Sequence, residues 1–190
     1  MNNDEMFRRF QLRQDLESEC LGTIDAKIDR LLEIEHQEII GDHHFASASA
    51  ECIGLYRDGY FIGTVMMSHA INEGIVTFVA ERNNIHIQKT ADTRKTIEEL
   101  VNELRGKDSI STDCADASLS IWKSYRNDVH HMNPKVSTIP FRELAQLNIK
   151  RLSVIENEIF GCDGSLAPHQ PKYWDKNPDG TIRAWLRLEA

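Results

Sequence analysis

Between Ser124 and Pro134 the chain reads SYRNDVHHMNP, so Arg126, Asn127, Asp128, His130 and His131 fall within six positions. Those residue types suit cleavage of an RNA phosphodiester through its own 2′-hydroxyl. The reaction needs a base for the hydroxyl proton, an acid for the leaving 5′-oxygen, and positive charge against the phosphorane. Imidazole titrates near neutrality and serves the first two needs. Guanidinium stays charged and grips phosphate oxygens as a fork. No metal or other cofactor is required. Arg126 with His131, or with His130, supplies these parts, and Asn127 and Asp128 add polar contacts.

Three other readings start from the same residues. Adjacent histidines, here His43–His44 and His130–His131, suggest a metal. Neighbours on a helix, however, lie about 100° apart, and chelating pairs sit at i,i+3 or i,i+4. No metal site is expected. A second reading is binding without chemistry, the same groups holding a nucleotide or an RNA backbone. The third is an ordinary helix end, where Asn, His and basic groups satisfy orphan carbonyls and the negative pole of the helix. Spacing adds a constraint. On a regular helix Arg126 and His130 share a face, whereas Arg126 and His131 lie about 140° apart. The latter pair converges only if the helix ends near residue 130, as Pro134 suggests, or if two copies share the site.

Helical periodicity runs through almost all of the chain that must position this motif. Leu16, Cys20, Ile24, Ile28, Leu31 and Leu32 form one stripe and predict a long amphipathic helix over residues 15–38. A second helix, with Asp42 as its expected N-cap, carries Phe45, Ala48, Cys52 and Leu55 and stops at Gly59. Residues 60–83 are apolar nearly all round, as a central bundle helix is. A fourth helix starts near Asp92 or Thr93, buries Ile97, Leu100, Val101 and Leu104, and ends at Gly106. The motif helix is capped by Ser111 or Thr112 and aligns Ala117, Ile121, Tyr125 and Val129. A last helix runs from Pro140 to Gly161. The expected fold is all-α, a bundle of five or six helices over residues 1–160. A C-terminal appendage over 161–190 follows, a loop with a turn at NPDG and a segment, TIRAWLRLE, that reads equally as a strand or a docked tail.

Composition bounds the rest. Hydrophobic residues at 41% and charged residues at 27% describe a globular chain of 190 residues able to bury a core. No apolar run is long enough to span a bilayer, and the polar N-terminal stretch has no signal-peptide pattern. Four scattered cysteines, Cys20, Cys52, Cys114 and Cys162, suit a reduced, cytoplasmic setting. The net charge of −8 argues against a surface that coats nucleic acid generally. Residues 120–151 nevertheless hold six Lys/Arg and two acids, a net of +4 in which Lys123 and Lys135 flank the motif as expected phosphate contacts. Ser68, His69, Asn72 and Glu73 are polar positions on the apolar third helix. Burial without partners is costly, so they are expected to be satisfied at the core or at a dimer seam. The functional variant of that expectation pairs Glu73 with Arg126. His43 and His44 read as a helix start, and Trp122 as core or interface. Trp122, Trp174 and Trp185 all carry faces able to stack bases.

The stretch RNDVHH resembles the signature of the HEPN superfamily, the higher eukaryotes and prokaryotes nucleotide-binding domain: an arginine, a polar residue, then a histidine after four to six positions. The context, SASAECIGLYRDGYFIGTVMMSHAINEGIVTFV and IEELVNELRGKDSIS followed by LSIWKSYRNDVHH, is similar to the helical pairs of that family; the likeness covers about residues 14–160. The resemblance implies an α-helical homodimer with facing motifs. It also implies, for many members, a metal-independent endoribonuclease that acts as a toxin or in phage defence. On this reading His131 is the acid–base group, Arg126 stabilises the phosphorane, Asn127 orients or binds, and His130, Asp128 and Glu73 support. The implied partners are RNA and an antitoxin or regulatory protein. Asn133 occupies the place where some members carry a modifiable tyrosine, so that mode of control is not carried over. Other members only bind nucleotides, RNA or protein.

Overall fold

The computed structural model describes residues 2–90, 93–163 and 167–187. It is an all-α bundle with two short two-stranded ribbons. Six helices of ten or more residues make up the architecture: α1 (Asn3–Leu32), α2 (Ala46–Asp58), α3 (Phe61–Arg82), α4 (Ile97–Gly106), α5 (Thr112–Lys123) and α7 (Phe141–Phe160). A five-residue helix, α6 (Arg126–His130), lies between α5 and α7.

Helix α3 is the axis of the bundle and packs against α2, α4, α5, α6 and α7. It can do so because its apolar residues face every direction: Val65, Ile71, Ile75, Val76, Phe78 and Val79 are all buried. Around it, α4 turns in the stripe Ile97, Leu100, Val101 and Leu104, and α7 turns in Ile149, Leu152, Ile155 and Ile159. Several boundaries follow from local chemistry. Gly59, at φ 87°, ends α2 in the left-handed region that glycine adopts without a Cβ clash. The helix from Pro140 to Gly161 is found as expected, with those two residues as its caps.

Other boundaries moved. Thr96, not Thr93, caps α4: its hydroxyl accepts from the Glu99 amide while the Glu99 carboxylate accepts from the Thr96 amide, a reciprocal box. Thr93 belongs instead to a ribbon of β2 (Gln88–Thr90) and β3 (Thr93–Arg94), and Asp92 lies outside the described residues. Asp42 does not cap α2, because its carboxylate takes a hydrogen bond from Arg183 at 2.6 Å. The first helix begins at Asn3 under an Asn2 cap and ends at Leu32, so it neither starts near residue 15 nor reaches 38. Its predicted stripe is not buried either: Leu16, Ile24, Ile28, Leu31 and Leu32 are exposed.

The segment after Gly161 docks onto the bundle. β4 (Ala184–Leu186) pairs antiparallel with β1 (Ile39–Gly41), and Tyr173 and Trp174 enter the main core. His43, just before α2, is buried among Phe45, Phe78 and Phe160, and its Nε2 bonds the Tyr173 carbonyl at 3.0 Å.

Candidate functional site

The motif does not continue one long helix. Helix α5 starts at the Ser111 cap and stops at Ser124, whose hydroxyl donates to the Ile121 carbonyl at 2.7 Å. That bond gives the backbone an alternative to continuing the helix. Tyr125 then adopts φ 56°, a left-handed conformation that costs a bulky residue about 1–2 kcal/mol. Val129 is buried and Tyr125 is exposed, so the expected alignment of Tyr125 with Ala117, Ile121 and Val129 fails at that one residue. Helix α6 runs from Arg126 to His130 with His131 as its C-cap, and Met132, at φ 47°, closes it. Two left-handed residues therefore bracket the motif.

A buried polar network holds this break in place. Asn148 of α7 donates to Ser68 at 2.9 Å and to the Ser124 hydroxyl at 3.3 Å. His69 Nε2 lies 3.0 Å from the same hydroxyl. Because Ser124 has spent its proton on Ile121, the network assigns the Nε2 proton to His69 as the donor. Nδ1 of His69 is left as a buried acceptor with no partner among the described residues. Burial holds His69 down to about 4, and the neighbouring His130 pushes the same way, so the ring is neutral at pH 7. Asn72 and Ser118 satisfy each other nearby at 2.8 Å. Apart from His69 Nδ1, the polar groups of Ser68, His69 and Asn72 are thus partnered, and they join α3 to α5, α7 and the turn that launches α6.

Arg126 lies across this platform. Its Nη2 donates to Glu73 at 3.3 Å, and its guanidinium carbon sits 4.4 Å from the centre of the Trp122 ring. Both charged partners are partly solvated, so the ion pair contributes at most about 1 kcal/mol and mainly aims the guanidinium. Nε of Arg126 is buried without a partner among the described residues. Trp122, Lys123, Tyr125, Arg126, Asn127 and Asp128 line a cleft of about 310 Å³.

The two histidines are placed differently. His130 is one turn on from Arg126, on the same side of α6, and its ring stacks on His69 with centroids 6.0 Å apart. His131 is exposed at the cap, about 140° around the axis from Arg126. Neither lines the cleft. Asn127 is exposed, and its carbonyl accepts from the His131 amide at 3.1 Å. The Asp128 carboxylate accepts from Asn133 at 3.0 Å and staples the turn after α6. Lys123 is tied to Glu98 at 2.7 Å, while Lys135 is exposed in the 3-10 turn Pro134–Thr138.

Sequence reading alone missed Ser124 and Asn148 as organisers and the stacking of Trp122 and His69 under the motif. A signal existed for Asn148, a polar side chain in the middle of the apolar face of α7. Among the described residues no group of three or more His, Cys, Asp or Glu could hold a metal ion. None of the helices is long and apolar enough to cross a membrane, again among the described residues.

The fold and site therefore define an all-α bundle that presents an Arg–Asn–His helix end over a buried polar platform. Comparison with protein-family models, with curated proteins and with solved structures found no match for this chain.

Proposed function

We propose that this protein is a metal-independent endoribonuclease of HEPN type, acting in the cytoplasm as a toxin or phage-defence effector. A base takes the 2′-hydroxyl proton, O2′ attacks phosphorus, and the bond from phosphorus to O5′ breaks as an acid protonates the leaving oxygen. The products are a 2′,3′-cyclic phosphate and a 5′-hydroxyl. Arg126 stabilises the phosphorane, His131 is the acid–base group by its place in the motif, and Asn127 orients the phosphate. The observation carrying this reading is the break at Ser124–Tyr125, which turns Arg126, Asn127 and two exposed histidines into one short helix and its cap beside a cleft. Within one copy His130 is the histidine on the Arg126 side. A homodimer with facing motifs would instead complete each site with His131 from the other copy. The four free cysteines fit a reducing compartment. RNA is the substrate, and an antitoxin or regulatory protein is the expected further partner.

The test is cleavage of mixed cellular RNA in the presence of EDTA by wild type, Arg126→Ala, His130→Ala and His131→Ala. Wild type should cut, and Arg126→Ala and His131→Ala should not. Loss with His130→Ala alone would reassign the acid–base role to His130. If pure wild-type protein leaves RNA intact with or without added divalent metal, the proposal fails.

One observation favours a second reading. No histidine lines the cleft beside Arg126, which suits a site that binds a nucleotide, RNA or a protein partner without cutting. Under that reading Arg126→Ala weakens binding about tenfold to a hundredfold, and both histidine variants bind as wild type does.

A further inference from the structure

The described ties of helix α1 to the bundle lie at its last turns, and the rest of its length is exposed. Lys27 bonds Asp58 at 3.1 Å, and Arg30 donates to the Arg57 carbonyl at 2.6 Å, both at the end of α2. Residues 4–22 are exposed throughout. This bare stretch is not polar: Phe7 is 63% exposed, Phe10 58%, Leu21 72% and Ile24 45%. An isolated helix is marginal in water, and a soluble chain seldom leaves such a row uncovered.

The row has a period. Phe7, Phe10, Gln14, Glu17, Leu21, Ile24, Ile28 and Leu31 occupy consecutive a and d positions of one heptad frame. Six are apolar, and the two polar ones sit together inside the seam. We propose that α1 pairs antiparallel with α1 of a second copy of this chain, about a dyad between Asp15 and Leu16.

Layer matching selects that partner and register. Antiparallel seams place a against d. About this dyad Phe7 meets the partner's Ile24, Phe10 meets the partner's Leu21, and Gln14 meets the partner's Glu17. Within the overlap, which leaves out Ile28 and Leu31, every apolar layer is apolar on both sides, and each Gln14 amide donates to a carboxylate. A shift of one heptad either way buries Gln14 and Glu17 against Ile24 and Leu21, or against Phe10 and Phe7. A parallel pair sets Glu17 against the partner's Glu17, two like charges in the seam. Charge agrees with the antiparallel choice, since Arg13 comes level with the partner's Ser18, between the acids Glu17 and Glu19. The overlap also ends where it should. Glu5 comes level with the partner's Ala26, one residue short of Lys27, where α1 meets α2. Each helix covers the bare stretch of the other. The pairing stands whether or not the protein cuts RNA.

The test uses the full chain. Sedimentation velocity should find wild type dimeric at micromolar concentration. Phe10→Glu with Leu21→Glu should weaken association by about 100-fold or more, while the far-UV dichroism falls by no more than the unpaired part of α1 contributes. The register has its own readout. Oxidised Arg13→Cys protein should form a disulfide to the native Cys20 of the other copy, mapped by peptide mass spectrometry and abolished by Cys20→Ser. Several results overturn the proposal: a wild-type monomer at 100-fold higher concentration than assayed first, a dimer whose Arg13→Cys form gives no disulfide to Cys20, or a disulfide joining the two position-13 thiols. So does a chain that is monomeric in solution and binds anionic phosphatidylserine vesicles through α1.

Discussion

Two of the protein's arginine–glutamate pairs share the same residue types and do opposite things. Arg187 and Glu156 each expose 3% of their side chains and meet at 2.5 Å; Ser49 and the Gln37 carbonyl take up further hydrogen-bonding capacity. Arg126 and Glu73 expose 34% and 46% and meet at 3.3 Å. The first pair clamps the end of β4 to α7 and is saturated on the side of Nη1 and Nη2. The second holds a guanidinium at the rim of a cleft, weakly enough for a phosphate to compete for it. An enclosed ion pair cannot lose one member without stranding a charge, whereas a solvated one can. Stability is concentrated at the enclosed pair, and freedom to exchange partners at the solvated one.

Experiments can break that contrast from its strong end. Arg187→Ala strands the Glu156 carboxylate and should cost about 3–5 kcal/mol in urea unfolding. The double change Arg187→Met with Glu156→Leu should recover most of that loss, and a double variant as unstable as the single one would show that the clamp is not electrostatic. Acid comes next. The folded state holds His69 down near 4, against an ordinary 6.5, so folding favours the neutral ring. The resulting stability is complete above pH 6.5 and is lost as pH falls towards 4, a difference of roughly 3 kcal/mol. His43, lowered chiefly by its own burial, adds in the same direction. Melting curves at pH 7 and pH 5, compared between wild type and His69→Gln, measure the effect; equal slopes in the two proteins would remove His69 from the account.

Asn148→Ala leaves Ser68 without a donor and Ser124 with His69 as its remaining one, and should cost about 1–3 kcal/mol. It should also lower RNA cleavage by loosening the turn that aims Arg126, while Asn148→Asp, which keeps the volume without the donor, should not rescue it. The smallest stability effect belongs to Arg126→Ala, within about 1 kcal/mol of wild type, beside complete loss of cleavage. A variant that unfolds as readily as Arg187→Ala would erase the distinction between the pairs.

How much of this was legible in advance depended on the range of the interaction involved. Gly59, Ser111, Pro140 and Gly161 mark helix ends because the signals are local: a residue that tolerates positive φ, a hydroxyl for an orphan amide, a ring without an N–H. The Arg126–Asn127–His131 spacing is likewise a property of the chain alone. The choice of Thr96 over Thr93 could have been read from Glu99 three residues on.

Three features needed the assembled fold. The motif helix breaks at Ser124, where Asn148 and His69 arrive from other helices to fix its hydroxyl, and that break sets α6 off as a separate short helix. Within TIRAWLRLE, whose last two residues lie outside the described residues, Ala184–Leu186 becomes a strand because β1 offers it an edge well over a hundred residues away in sequence. The amphipathic stripe of α1 predicts burial, yet among the described residues the bundle meets α1 at its last turns and leaves Leu16, Ile24 and Ile28 exposed. By itself the sequence determined where helices begin and which faces are apolar, since both follow from neighbours a turn apart. Which faces meet, and which side chains those meetings immobilise, only the tertiary structure decided, because those contacts join residues that the chain alone holds far apart.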